Sequence, residues 1–200
     1  MTKNPWWSRI ILAASLTPLL WLAWKWRRHD LGINSIEFVA RYTGGWTLRF
    51  LLLTLAITPL RRIPGLRDLI RFRRLLGLVT FFYATLHGLH YFAIDAQWNR
   101  EVLWEDFTVR RFFIAGLTAF TLLVPLAVTS FDAAVRWLGA RRWQRLHRLI
   151  YVSAIAAICH YVWQGKYISL TPLLYAAVLA VLLLIRIVVA VRKRIKGQGP

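Results

Sequence analysis

Apolar residues in this chain gather into six runs of 16 to 20 positions, separated by short segments rich in arginine and tryptophan. The runs cover approximately residues 10–26, 45–60, 75–94, 112–130, 146–163 and 172–191. A membrane-crossing helix needs roughly 20 mostly apolar residues, because the hydrocarbon layer is about 30 Å thick and a helix rises about 1.5 Å per residue. Several runs fall short of that length, so their ends are expected to extend into the aromatic and basic flanks. A strand reading fails, since the runs are too long and lack the alternation and turn signals of a barrel. The pattern therefore predicts an all-α polytopic membrane protein, a bundle of six transmembrane helices in a single domain spanning residues 1–200. The 75–94 run carries no formal charge, whereas 45–60 contains Arg49 and 172–191 contains Arg186.

The polar segments predict orientation, because basic loops stay on the cytoplasmic side. Residues 61–74 carry six basic side chains and one acid, residues 131–148 five and one, and residues 192–196 four basic side chains. The intervening segment 95–111 holds four acids and three bases, and 164–171 has only Lys166. This alternation puts both termini in the cytoplasm. The segment 25–43, with Lys25, Arg27, Arg28 and Arg41, is the exception, being basic on the expected outer side. No small-residue cleavage site follows the first run, which is expected to be a retained helix rather than a signal peptide.

Composition narrows the classes. The chain is 58% hydrophobic and 18% charged, against about 45–50% and about 25% for soluble domains. Its 27 basic and 8 acidic residues give a formal charge of +19. In a soluble protein such an excess would point to nucleic acid; beside long apolar runs it points to loops on an anionic lipid surface and to no nucleic-acid partner. The single cysteine excludes a disulfide within one chain and any multi-cysteine metal cluster. Neither a dinucleotide fingerprint nor a phosphate-binding glycine loop is present.

The candidate chemistry lies in the histidines. Of the five, His87, His90, His147 and His160 fall in or at the edges of the third and fifth runs, where ionisable side chains are costly and mark function. Counted from the cytoplasmic end, His87 lies roughly 20 Å deep and His160 roughly 25 Å deep, so His87 or His90 can meet His160 at one level. His147 lies only roughly 6 Å in, alone at its depth. Imidazoles at one level on facing helices suit the two axial positions of a haem held between them. His147 and His160 are roughly 140° apart on a straight helix, so a shared face requires a bend or an irregularity. Arg73 falls within about 40° of the His87 face and suits a cofactor's anionic group at the inner level. Arg49 is deep enough to need a partner, a haem propionate being one candidate, and Arg186 is expected to snorkel to the inner face. Three bland alternatives stand beside this: histidines that only bond neighbouring helices, a zinc or copper site from His87, His90 and His160, and a small transporter or channel using intramembrane His and Arg.

Particular stretches carry a resemblance. Arg73-Arg74-Leu75-Leu76-Gly77-Leu78, Ala84-Thr85-Leu86-His87, Leu138-Gly139-Ala140-Arg141, the run Trp143-Gln144-Arg145-Leu146-His147-Arg148-Leu149-Ile150-Tyr151-Val152, and His160-Tyr161-Val162-Trp163 together resemble the haem-binding membrane subunits of bacterial periplasmic methionine sulfoxide reductase systems, the MsrQ family. Ile57-Thr58-Pro59-Leu60 extends the likeness over nearly the whole chain. That family is grouped with the ferric-reductase and NADPH-oxidase transmembrane domains. The resemblance implies a haem b protein of the inner membrane, with one or two haems and FMN as a further cofactor. Electrons would come from the quinone pool or a cytosolic flavin reductase. They would pass to a periplasmic molybdopterin-containing methionine sulfoxide reductase that repairs oxidised methionines. This chain would thus be an electron-transfer subunit rather than the catalytic one; a ferric reductase or cytochrome b with another acceptor is the alternative within the class. The implied iron ligands are His87, His147 and His160, with Arg73 and Arg74 as further cofactor-binding residues and His90 and Arg49 ranked behind them. His90 departs from the family pattern and leaves open which of His87 and His90 binds iron.

Overall fold

The apolar runs wind into helices because neither water nor a partner strand is at hand to satisfy their backbone groups in a hydrocarbon layer. A computed structural model describes residues 6–165 and 169–195, and among these no strand occurs. Nine α-helices follow one another among the described residues: α1 (Trp6–Arg27), α2 (Ser35–Leu60), α3 (Arg73–His90), α4 (Arg100–Val109), α5 (Arg111–Val128), α6 (Asp132–Leu138), α7 (Ala140–Leu146), α8 (Leu149–Gln164) and α9 (Leu170–Ile195). A 3-10 turn (Arg67–Phe72) leads into α3, and a π turn (Tyr91–Asp95) ends it. Lys166 and Lys196, used above for orientation, lie outside the described residues.

Local chemistry sets the ends. The Asn34 side chain accepts from the Glu37 amide at 3.1 Å and caps α2, and Asn99 caps α4 by accepting from the Glu101 amide at 2.9 Å. Pro18 inside α1 cannot donate to the Ala14 carbonyl, and the Thr17 hydroxyl does so instead at 2.8 Å. α2 starts at Ser35, ten residues before its apolar run, so Arg41 sits on the helix and not in a loop. Arg41 pairs with Glu37 at 2.6 Å and Lys25 with Asp30 at 3.1 Å. Those pairs offset part of the charge that made segment 25–43 an exception.

Five stretches are long and apolar enough to cross a membrane: α1, α3 with its flanking turns, α5, α7 with α8, and α9. With the family match reported below they make this a multi-pass membrane protein. α2 is 26 residues long but falls outside that set. Its first fifteen residues include Glu37, Arg41, Gly44, Gly45 and Arg49. The 146–163 run is not one helix: α7 ends at Leu146 and α8 begins at Leu149, with His147 and Arg148 between them.

The tightest pairings are α5 with α8 and α2 with α3. Leu51 and Leu55 of α2, Leu123 and Leu126 of α5 and Ile150 and Ala154 of α8 meet in the central core, which α9 closes through Leu179. Small residues let α5 and α8 approach, and the fully buried Ser153 hydroxyl donates to the Ala119 carbonyl at 2.9 Å. The outer surface of the bundle is apolar in turn, with Leu53, Phe82, Leu174 and Val181 turned outward as lipid requires.

α4 was not expected from the sequence. It is held by Asp106, which is 1% exposed, accepts a short hydrogen bond from the Tyr91 hydroxyl, and pairs with Arg110 at 2.9 Å. Truncation by Asp106→Ala strands the Tyr91 hydroxyl at a cost of about 1–3 kcal/mol. Tryptic cleavage at Arg100 and Arg110 in detergent should then accelerate; an unchanged cleavage rate would contradict this fastening.

Candidate metal centre

α3 and α8 carry His87 and His160 to the same level, where the ring centroids lie 6.0 Å apart with an interplanar angle of 78°. Each ring is fastened by Nδ1 to a carbonyl of the helix packed against its own. His87 Nδ1 lies 3.1 Å from the Ala40 carbonyl oxygen on α2, and His160 Nδ1 lies 2.8 Å from that of Phe112 on α5. A carbonyl only accepts, so Nδ1 carries the proton and Nε2 keeps its lone pair on both rings. That is the tautomer of an imidazole that ligates a metal through Nε2. A metal–nitrogen bond of about 2 Å on each side, with about 1 Å more from nitrogen to ring centre, spaces two axial imidazoles roughly 6 Å apart. The residues present therefore fit a haem iron with two axial histidines.

His90 is turned elsewhere. Its Nε2 lies 2.9 Å from the Ile36 carbonyl oxygen, one turn further along α2 towards its start. Among the described residues no three His, Cys, Asp or Glu side chains gather as a metal site, so the zinc or copper arrangement does not form.

His147 occupies the other end of α5. Its Nε2 lies 3.1 Å from the Thr129 hydroxyl, and its ring stacks on Trp143 with centroids 3.8 Å apart. Trp143 donates its indole N–H to the Thr129 carbonyl at 2.8 Å. His147 and His160 thus both face α5, although a straight helix would part them. The break at His147–Arg148 supplies the needed irregularity. Gly116 and Thr129 mark the two levels, and 13 residues of helix separate them by about 20 Å.

Basic groups surround His147. Arg73 and Arg74 lie within electrostatic reach of His147. Arg74 is engaged by Asp132 at 2.5 Å, while Arg73 has no ion pair among the described residues. Arg186 does not snorkel. Its guanidinium donates to the Tyr151 hydroxyl at 2.6 Å and to the Leu55 carbonyl at 2.5 Å, inside the bundle. Arg49 lies over the Trp46 ring, 4.8 Å from its centre, and lines a lateral cleft of about 560 Å³ with Arg41, Tyr42, Tyr161 and Tyr175. The cleft borders the His87–His160 level, since Tyr161 follows His160 and Gly45 follows Gly44 in the chain.

Sequence reasoning missed Thr129, Asp106 and the two glycines that face the rings. Built at Gly116, a Cβ would lie 2.6 Å from His160 Nδ1; at Gly44 it would lie 3.1 Å from His87 Cε1. Two adjacent glycines in an apolar run were the one available signal.

Comparison with known proteins is consistent with this geometry. Residues 43–158 match the family described as ferric reductase like transmembrane component. The chain is 46% identical over 192 residues to a protein of Herminiimonas arsenicoxydans, covering 95% of this chain and 88% of that one. It is 48% identical over 175 residues to one of Ralstonia nicotianae, with 86% and 81% covered, and 42% identical over 190 residues to one of Rhodospirillum rubrum, with 95% and 91% covered. All three bear the name protein-methionine-sulfoxide reductase heme-binding subunit MsrQ.

Arg186→Met removes the donor to the Leu55 carbonyl and the Tyr151 hydroxyl. It should lower unfolding stability in detergent by about 1–3 kcal/mol, and Tyr151→Phe by about 0.5–1.5 kcal/mol. Equal midpoints for wild type and Arg186→Met would show that these bonds do not hold α9.

Proposed function

The chain belongs to the ferric reductase-like transmembrane components and, within them, to the haem-binding subunits of protein-methionine-sulfoxide reductase systems, and on that basis we propose that it is a haem b electron carrier of the bacterial inner membrane. In this reading α2 completes a set of six crossing helices, and both termini face the cytoplasm. Electrons enter from the cytoplasmic side, from the quinone pool or a cytosolic flavin reductase. They leave to a periplasmic molybdopterin-containing methionine sulfoxide reductase.

The observation that carries the reading is the pairing of His87 with His160, 6.0 Å apart and each tied by Nδ1 to a helix carbonyl. These two residues would hold the iron of an outer haem through Nε2. When bound, the haem supplies one-electron chemistry between ferric and ferrous iron. The chain does the rest. The carbonyls of Ala40 and Phe112 keep the Nδ1 protons in place. The leucine-rich core inward of the rings excludes water. Arg49, beside the same level, offers charge to a cofactor carboxylate at the cleft. His147 would serve an inner site, where Arg73 would hold a propionate of a second haem or the phosphate of FMN. Arg74 joins it only by giving up Asp132. His90, bonded to the Ile36 carbonyl, takes no part in ligation.

Dithionite-reduced minus oxidised spectra of the purified protein and its variants test this. His87→Ala and His160→Ala should each lose most of the low-spin absorbance, and His90→Ala should keep it. Two haems counted per chain, falling to one in His147→Ala, would place the second at the inner level. A full spectrum in both His87→Ala and His160→Ala would remove the pairing, and a colourless wild type after expression with ample haem would remove the reading itself.

A further inference from the structure

The two histidine seats are built alike. On α2 the acceptor is the Ala40 carbonyl and the residue against the His87 ring is Gly44. On α5 the acceptor is the Phe112 carbonyl and the residue against the His160 ring is Gly116. In both, the glycine stands four positions after the acceptor. The repeat has a physical reason. Every Cα–Cβ bond on a helix tilts towards the N-terminus, so a side chain covers the turn that precedes it. The side chain at position i+4 therefore lies over the carbonyl of position i. A glycine there uncovers the carbonyl oxygen to a donor from outside the helix and leaves space for a flat ring.

The contact distances single out these two glycines. A Cβ at Gly116 would lie 2.6, 3.0 and 3.3 Å from three atoms of the His160 ring, closer than packing allows. One at Gly44 would lie 3.1, 3.2 and 3.5 Å from three atoms of the His87 ring. Elsewhere in the described helices the space is ordinary: Gly77 would meet only the Thr54 methyl group at 3.8 Å, and Gly88 meets nothing within 4 Å.

We propose that Gly44 and Gly116 are positioning residues, each forming with the carbonyl four residues before it a seat that fixes one axial imidazole in ring plane and tautomer and aims its Nε2 at the shared iron. The inference rests on the haem reading above. α2 and α5 supply no ligand to the outer iron, yet they decide how the ligands on α3 and α8 present themselves. The 78° angle between the rings follows from the two seats acting separately. The seats are unequal in tolerance. The Gly116 contact cannot be relieved without moving the ring off the Phe112 carbonyl, whereas at Gly44 a shift of a few tenths of an ångström suffices.

The test compares wild type with Gly116→Ala, Gly44→Ala and Gly77→Ala, purified in detergent and matched for elution volume and helical content. The readouts are the visible spectrum and low-temperature electron paramagnetic resonance of the oxidised protein, which reports the mutual angle of axial imidazoles. Gly116→Ala should lose most of its low-spin signal, and added imidazole should restore it by filling the abandoned position. Gly44→Ala should keep its haem but show shifted low-spin g values. Gly77→Ala should match wild type. Wild-type signals in both Gly116→Ala and Gly44→Ala would overturn the inference and leave the haem reading intact. A Gly77→Ala shift as large as that of Gly44→Ala would overturn it too, by making the effect a general one of helix glycines. If Gly116→Ala is not recovered folded, Gly44→Ala decides by the same g values. A wild type without a low-spin bis-imidazole signal overturns the haem reading, and this inference with it.

Discussion

In a hydrocarbon layer a polar group finds no water, so each donor inside the bundle must find its acceptor within the protein. Most of the described threonine and serine hydroxyls turn back to carbonyls of their own helix, and the longer side chains reach carbonyls of neighbouring ones. Tyr83 donates to Ser15, Tyr42 to Pro18, Ser153 to Ala119 and Arg186 to Leu55. The rings of His87 and His160 obey the same constraint through Ala40 and Phe112. A helix carbonyl is already engaged by the amide four residues on, and a donor from another helix reaches it only where that helix comes close. Hence the small residues at the crossings and the close pairing of α2 with α3 and of α5 with α8. The His87–His160 pair arises from the same need to satisfy polar groups in lipid, and one nitrogen of each ring is left over.

The two ends of the bundle differ in how they treat charge. At the His160 end the histidine pair is flanked by Phe112 and the aromatic cleft, with Arg49 as the nearby cation. At the His147 end Arg73 and Arg74 lie near His147, Arg186 donates to Tyr151, and Arg74 pairs with Asp132. An excess of positive charge in a poorly hydrated region stabilises anionic groups placed there and opposes removal of an electron from a bound redox centre. α5 spans both levels, offering Phe112 and Gly116 at one end and Thr129 at the other.

Much of this was legible beforehand, and for definable reasons. Run lengths answer to the thickness of a bilayer, so the long helices could be read one by one. Depth along a helix is a count of residues, and the count put His87 and His160 together while leaving His147 apart. Other features resisted. His87 and His90 differ by one turn, and depth alone does not separate them; the Ile36 carbonyl beside His90 does. Arg186 looked free to reach the surface until Leu55 and Tyr151 arrived beside it. Asp106 was one acid among four in an outer segment, and only the fold buries it under Tyr91.

What the sequence determined by itself is what depends on local composition and on counting: a membrane protein of long apolar helices, the depth of each histidine, and the family motifs around Arg73, His87, His147 and His160. What only the tertiary structure decided is what depends on the approach of one helix to another. The tautomer of each ring, the break that turns His147 and His160 to the same side, the seats at Gly44 and Gly116, and the acceptors of Arg186 all belong to that second class. A carbonyl's availability is set by the absence of a side chain on its own helix and the presence of a donor on the next, and no single run of residues contains both.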